Sequence, residues 1–137
     1  MIALGANLGD RRRTILRAIH ELRHVLRVVC VSRLHETAPV DAPAGSPAFL
    51  NCVVTGFTRL DAHALLDRLL EIERRLGRVR RERNAPRTID LDLILFGAHR
   101  IRTRALTLPH PRAHAREFIL RPLQECGGLG RDLLRAE

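Results

Sequence analysis

Lysine is missing from this chain: all 24 basic residues are arginine, set against 15 acids for a formal charge of +9. A Walker A loop needs a lysine on its phosphates and a protein kinase needs one on its third strand, so both nucleotide-binding schemes are excluded. Tryptophan and tyrosine are also absent, leaving four phenylalanines as the whole aromatic supply. RNA-recognition modules stack bases on exposed aromatic side chains of a sheet, and that stock is too small here. Cys30, Cys52 and Cys126 are odd in number and widely spaced, with no C-x-x-C. They predict neither a disulfide framework nor a thiolate metal site, and make a reducing cytoplasm the expected location. No apolar run approaches the length of a membrane span, and residues 1–5 do not read as a signal peptide.

What is present suits one globular domain over residues 1–137: 45% of the residues are hydrophobic and the mean hydropathy is -0.10. The excess of arginine implies an anionic partner, and composition alone leaves open a nucleic-acid backbone or a small polyphosphate.

Residues 85–96 place two acids, Asp90 and Asp92, inside an otherwise apolar strand. Alternation puts Ile89, Leu91, Leu93 and Leu95 on one face and Asp90, Asp92 and Ile94 on the other, with the carboxylates roughly 7 Å apart. Aspartate disfavours strands and adjacent like charges repel, so a divalent cation between them would remove a real cost. Arg74, Arg75, Arg78, Arg80, Arg81, Arg83 and Arg87 lead into this strand. Hard oxygen ligands for Mg²⁺ beside a row of guanidinium forks are what a polyphosphate requires.

Read in order, residues 2–5 form a strand that ends in a glycine-flanked turn. Asp10 then caps a helix whose buried stripe is Ile15, Ile19, Leu22 and Leu26. Strands are predicted over 28–35 and 49–58, joined by a proline-rich loop over 37–48. Asp61 caps a second helix with stripe Leu65, Leu69, Ile72 and Leu76, stopped by Gly77. The arginine loop over 78–87, the acidic strand, a short return strand over 99–102 and a last helix over 117–125 follow. The order βαββαβ predicts an α+β, ferredoxin-like antiparallel sheet with packed helices and two long loops at the site. The first strand and the acidic strand should be central neighbours in it.

Three smaller motifs need weighing. His20-Glu21-Leu22-Arg23-His24 matches the zinc-protease pattern H-E-x-x-H, but the helix stripe turns both histidines towards solvent, so no zinc site is expected. The segment from Gly5 to Gly9 lacks dinucleotide-fingerprint spacing and reads as a tight turn that another segment or a ligand can approach. Asn51 shares a strand face with Phe49 and Val53. A half-buried amide beside a ring could recognise a flat heterocycle, although a backbone partner would equally satisfy it.

Taken together, Gly5-x-Asn7-Leu8-Gly9-Asp10, Glu36-Thr37-x-Pro39, Phe49-Leu50-Asn51, Gly77-Arg78-x-Arg80, Pro86-Arg87-Thr88-Ile89-Asp90-Leu91-Asp92 and Leu108-Pro109-His110-Pro111 resemble, in order, the 6-hydroxymethyl-7,8-dihydropterin pyrophosphokinases of folate biosynthesis. The resemblance implies transfer of a pyrophosphoryl group from ATP to the pterin hydroxymethyl oxygen, with release of AMP. It further implies that Asp90 and Asp92 hold two Mg²⁺ ions and that Arg78 and Arg87 act on the triphosphate. Glu73, Arg80, Arg83, Leu93, Thr107, His110 and Arg116 would surround the nucleotide. Thr37, Val40, Phe49, Asn51 and Phe118 would line the pterin pocket. The implied partners are these two small molecules, with no nucleic acid, no membrane and a monomeric state. Asn84 departs from the tryptophan of some members. The alternative from another class is a noncatalytic, basic RNA-binding domain of the same fold.

Overall fold

The computed structural model describes residues 1–38, 44–77, 89–111 and 124–126. Strand β1 (Ile2–Ala6) leads into helix α1 (Arg11–Leu22), which starts where Asp10 Oδ1 accepts the Arg13 N–H at 3.1 Å. Helix α2 (Ala62–Arg75) begins the same way, with Asp61 Oδ1 accepting the Ala64 N–H at 2.8 Å. Each cap satisfies an N–H that the first helical turn would leave open. The predicted stripes are the buried ones: Ile15, Ile19 and Leu22 of α1 pack with Leu65, Leu69 and Ile72 of α2 against one face of the sheet. Gly77, at φ 87°, ends the second helix in the left-handed conformation that glycine adopts without strain.

The strand expected over 28–35 is instead two, β2 (Arg27–Val31) and β3 (His35–Thr37). Ser32 is the cause. It is buried, its N–H donates to the Val53 carbonyl, and its Oγ accepts the Val53 N–H and donates to the Arg33 carbonyl, all at 2.9 Å, so a hydroxyl takes the place of a ladder carbonyl and the regular pairing stops. Both segments pair with the long strand β4 (Phe49–Phe57). The acidic strand β5 (Asp90–Leu93) pairs antiparallel with β1, giving the order β2-β4-β1-β5 with β3 also on β4. This is the ferredoxin-like arrangement, with one difference from expectation: β1 and β5 are neighbours, but β5 is the edge and β1 and β4 form the centre. The return strand is short, β6 (Ile101–Arg102), and pairs with an unexpected β7 (Thr107–Leu108) in a separate two-stranded sheet.

Of the helix expected over 117–125, residues 117–123 lie outside the described residues, and Gln124 and Glu125 are helical. Cys126, next in line, is disulfide-bonded to Cys30, which corrects the expectation, from the odd number and wide spacing of the cysteines, of no disulfide framework. Sequence spacing could not show this, because the partners are 96 residues apart and only folding brings their Cα atoms to 5.8 Å. A cross-link over so long a loop restricts the unfolded chain by up to about 4–5 kcal/mol. Cys52 remains free and buried. Among the described residues no helix is long and apolar enough to cross a membrane.

The β2–β4 pairing has no room for a side chain at Gly56, where a Cβ would lie 2.4 Å from the Arg27 carbonyl oxygen and 2.7 Å from Leu26 Cδ1. Gly56→Ala is therefore expected to destabilise the fold by about 1–3 kcal/mol. Urea unfolding measures it, and a midpoint equal to that of the unaltered chain would show that the β2–β4 contact is looser than described.

Candidate active site

Residues directly opposite one another in a strand pair share a face of the sheet. Gly5 is opposite Asn51 on one side and Asp90 on the other, and Ala3 is opposite Val53 and Asp92. His35 in turn lies opposite Asn51, and Thr37 opposite Phe49. One continuous row therefore crosses the sheet as Asp90, Gly5, Asn51 and His35. The alternating set, Ile2, Leu4, Ala6, Cys52, Val54, Leu91 and Leu93, belongs to the core shared with the helices. The row is thus on the opposite, open face, and the acids, half-buried there, keep company with the amide and the ring.

Asn51 is 5% exposed, and its Nδ2 donates to Thr37 Oγ1 at 2.6 Å. That hydroxyl lies on the neighbouring strand, and the bond fixes the amide plane. Gly5 makes this possible: a Cβ there would meet Asn51 Oδ1 at 2.8 Å and Phe49 Cδ1 at 3.5 Å. The side chains of β4 lean into the space that glycine leaves. Beside Asp92, the β1 residue is alanine, so nothing larger than a methyl group rises from β1 between the acid strand and the Phe49–Asn51 strand.

Two further residues, not marked as site candidates by sequence, build the rim. Asn7 is buried and its Nδ2 donates to the Pro47 carbonyl at 3.2 Å. Arg11 reaches from the start of α1 to the Ala48 carbonyl at 2.8 Å and the Glu36 carboxylate at 3.2 Å. Together they fasten the segment entering β4 just ahead of Phe49. The only sequence signal was the place of Asn7 in the Gly5 to Asp10 turn, which Arg11 directly follows at the start of α1.

The remaining expected residues fall in several places. Glu73 is 3% exposed on α2, and its Oε1 accepts the Leu91 N–H at 3.2 Å, so it meets the backbone of the edge strand. Leu93 has its side chain in the core. Thr107 is exposed on β7, and the His110 N–H donates to the Ile94 carbonyl at 2.9 Å, holding that histidine just past the end of β5. Arg78, Arg80, Arg83, Arg87, Arg116, Val40 and Phe118 lie outside the described residues. His20 and His24 are exposed and stack edge to face with ring centres 5.4 Å apart. Among the described residues no group of three or more His, Cys, Asp or Glu side chains is placed to hold a metal. Burial pushes the Cys52 thiol up to about 12, so it is a packing residue on the helix side rather than a nucleophile.

Comparison with known proteins agrees with the geometry. The profile of the family described as 7,8-dihydro-6-hydroxymethylpterin-pyrophosphokinase matches residues 1–127. A Bacillus subtilis protein named 2-amino-4-hydroxy-6-hydroxymethyldihydropteridine pyrophosphokinase is 42% identical over 99% of this chain and 83% of its own length. Its Pseudomonas aeruginosa namesake is 40% identical over 90% of this chain and 77% of its own length. An Arabidopsis thaliana mitochondrial folate synthesis bifunctional protein is 40% identical over 93% of this chain, which spans only 23% of that longer protein. The chain belongs to the 7,8-dihydro-6-hydroxymethylpterin-pyrophosphokinase family.

Proposed function

We propose that this chain, as one domain over residues 1–137, transfers the pyrophosphoryl group of ATP to the hydroxymethyl oxygen of 6-hydroxymethyl-7,8-dihydropterin and releases AMP. The observation that supports it most is the one open sheet face on which Asp90 and Asp92 are separated from the fixed Asn51 amide only by Gly5 and Ala3 of β1. The two ends of such a site suit the two substrates. A flat, hydrogen-bonding heterocycle fits against Phe49 with its polar edge on Asn51, whose orientation Thr37 holds. A charged chain of phosphates fits beside Asp90 and Asp92 only with cations between them.

The donor set suits Mg²⁺. That ion usually takes one or two carboxylates, with water and substrate phosphate oxygens completing its shell, and the two half-buried aspartates on one face of β5 could supply those carboxylates. When bound, two such ions would neutralise phosphate charge and align attacking and leaving oxygens. Asp90 and Asp92 would hold them. Arg78 and Arg87 would grip the triphosphate as it gains charge at the leaving oxygen, with Arg80, Arg83, His110, Thr107 and Arg116 around the nucleotide. Val40 and Phe118 would complete the pterin pocket. Glu73 would contribute by steadying β5 beneath the acids, since its carboxyl accepts the Leu91 N–H. Most of the acceleration would come from positioning, because phosphoryl transfer asks little covalent chemistry of the protein.

The assay mixes protein, ATP, Mg²⁺ and the reduced pterin alcohol, and separates the nucleotides. AMP formed one-for-one with pterin diphosphate is expected; ADP as the product would overturn the proposal. Asp92→Ala is expected to lower turnover by at least about 100-fold while cooperative unfolding is retained, and an unchanged rate would remove the acid pair from the reaction. Gly5→Ala separates the two halves of the site. Its Cβ displaces Asn51, so kcat/KM for the pterin should fall about 10- to 100-fold while the KM for ATP stays within experimental error. An equal loss for both substrates would mean that Gly5 serves the sheet rather than the pterin.

A further inference from the structure

Two residues near the end of the described chain, Glu125 and Cys126, touch the same strand junction that carries the pterin side of the site. Cys126 is bonded to Cys30 of β2. Glu125, next to it, accepts the Arg33 N–H at 2.7 Å through Oε2 and bonds the His35 ring through Oε1. The Arg33 guanidinium adds a 3.7 Å contact to the same carboxylate. Arg33 lies in the break between β2 and β3, just after Ser32, which bonds the Val53 backbone through both its N–H and its hydroxyl. His35 opens β3, opposite Asn51, and Thr37 closes it with its hydroxyl on the Asn51 amide. A covalent bond, a carboxylate clamp, a three-residue strand and the pterin-facing amide are thus connected in sequence.

We infer that Cys30 and Cys126 form a reversible thiol–disulfide site that sets the affinity of the protein for its pterin by clamping β3. The inference rests on the pyrophosphokinase reading for the identity of the ligand, though not for the chemistry of the site. Both cysteines are half-buried, open enough for an attacking dithiol, whereas Cys52 is enclosed. A thiolate of the dithiol attacks one sulfur, the Cys30–Cys126 bond breaks, and a mixed disulfide forms. The second thiol of the reductant then displaces the protein thiolate. The reductant leaves as its own disulfide, and Cys30 and Cys126 each end with one proton, so two electrons and two protons have passed to the protein.

Breaking that bond matters to Glu125 because the clamp depends on proximity. A carboxylate at the surface holds a histidine weakly when its segment is free, whereas a covalent link one residue away keeps it at high effective concentration. The Arg33 N–H, the chief cause, together with His35, holds the Glu125 carboxyl below its usual range. The clamp is therefore formed by the ionised acid and is present at neutral pH. Once it is released, β3 keeps its three pairings to β4 and the exposed Arg11–Glu36 contact, and Thr37 no longer holds the Asn51 amide in one orientation.

The test begins with thiol counting. Air-oxidised protein is unfolded and alkylated with iodoacetamide, with and without prior dithiothreitol, and weighed by mass spectrometry. One adduct, at Cys52, is expected without reductant and three with it; three in both would overturn the inference. Hydrogen exchange of the native protein should show faster exchange at His35–Thr37 after reduction, and unchanged exchange there would refute the clamp. In the assay, reduction and Cys30→Ser should each raise the pterin KM at least about fivefold, leaving kcat and the ATP KM unaltered, with Cys30→Ser indifferent to dithiothreitol. Glu125→Gln should raise the same KM without altering the thiol count. Equal pterin KM values for all forms would sink the proposal. No turnover in any form would instead overturn the pyrophosphokinase reading, leaving the thiol count and amide exchange to decide the clamp.

Discussion

The open face depends on one missing side chain. Gly5 sits at the middle of the sheet, with Asp90 on one flank and Asn51 on the other, and the 2.8 Å that would separate an added Cβ from Asn51 Oδ1 leaves no space for one. Because strand alternation is strict, the same register that turns Asp90 and Asp92 outward also sends Leu91 and Leu93 into the core. A slip of one residue would bury two charges and expose two leucines, so hydrophobic burial on the helix side is what holds the acids in place on the other.

Charge is arranged with similar economy. The acids stand on an edge strand, where an exposed ladder would ordinarily invite another chain to pair. The buried carboxyl of Glu73 accepts the Leu91 N–H from that strand, which gives a polar group in the core a hydrogen-bonding partner. Arg11 serves the other end by gathering Glu36 and the Ala48 carbonyl. Both bonds leave a single nitrogen, Nη1, whose two N–H groups serve the two acceptors at once.

Much of the fold was legible because it rests on local signals. Asp10 and Asp61 read as helix caps and act as such, and the stripes from Ile15 and Leu65 are those that pack. The face shared by Phe49 and Asn51, and the outward turn of the paired acids, followed from strand alternation. What escaped was set by partners distant in sequence. Ser32 divides a β-branched run because Val53, 21 residues away, supplies the N–H for its hydroxyl. The β6–β7 pair is too short to show periodicity. Asn7 and Arg11 carry no chemical signature of their roles, since an amide and a guanidinium become loop anchors only where Pro47 and Ala48 present carbonyls.

By itself the amino-acid order determined the elements, the outward acids and, through the ordered set of motifs from Gly5 to Pro111, the family. Periodicity, caps and short motifs are properties of neighbouring residues, so they can be read along the chain. Only the tertiary structure decided that β5 is an edge, that Asn51 answers to Thr37, and that Cys30 is joined to Cys126. Each of these is a meeting of segments far apart in sequence, and burial of the shared core selects which of the many available meetings occurs.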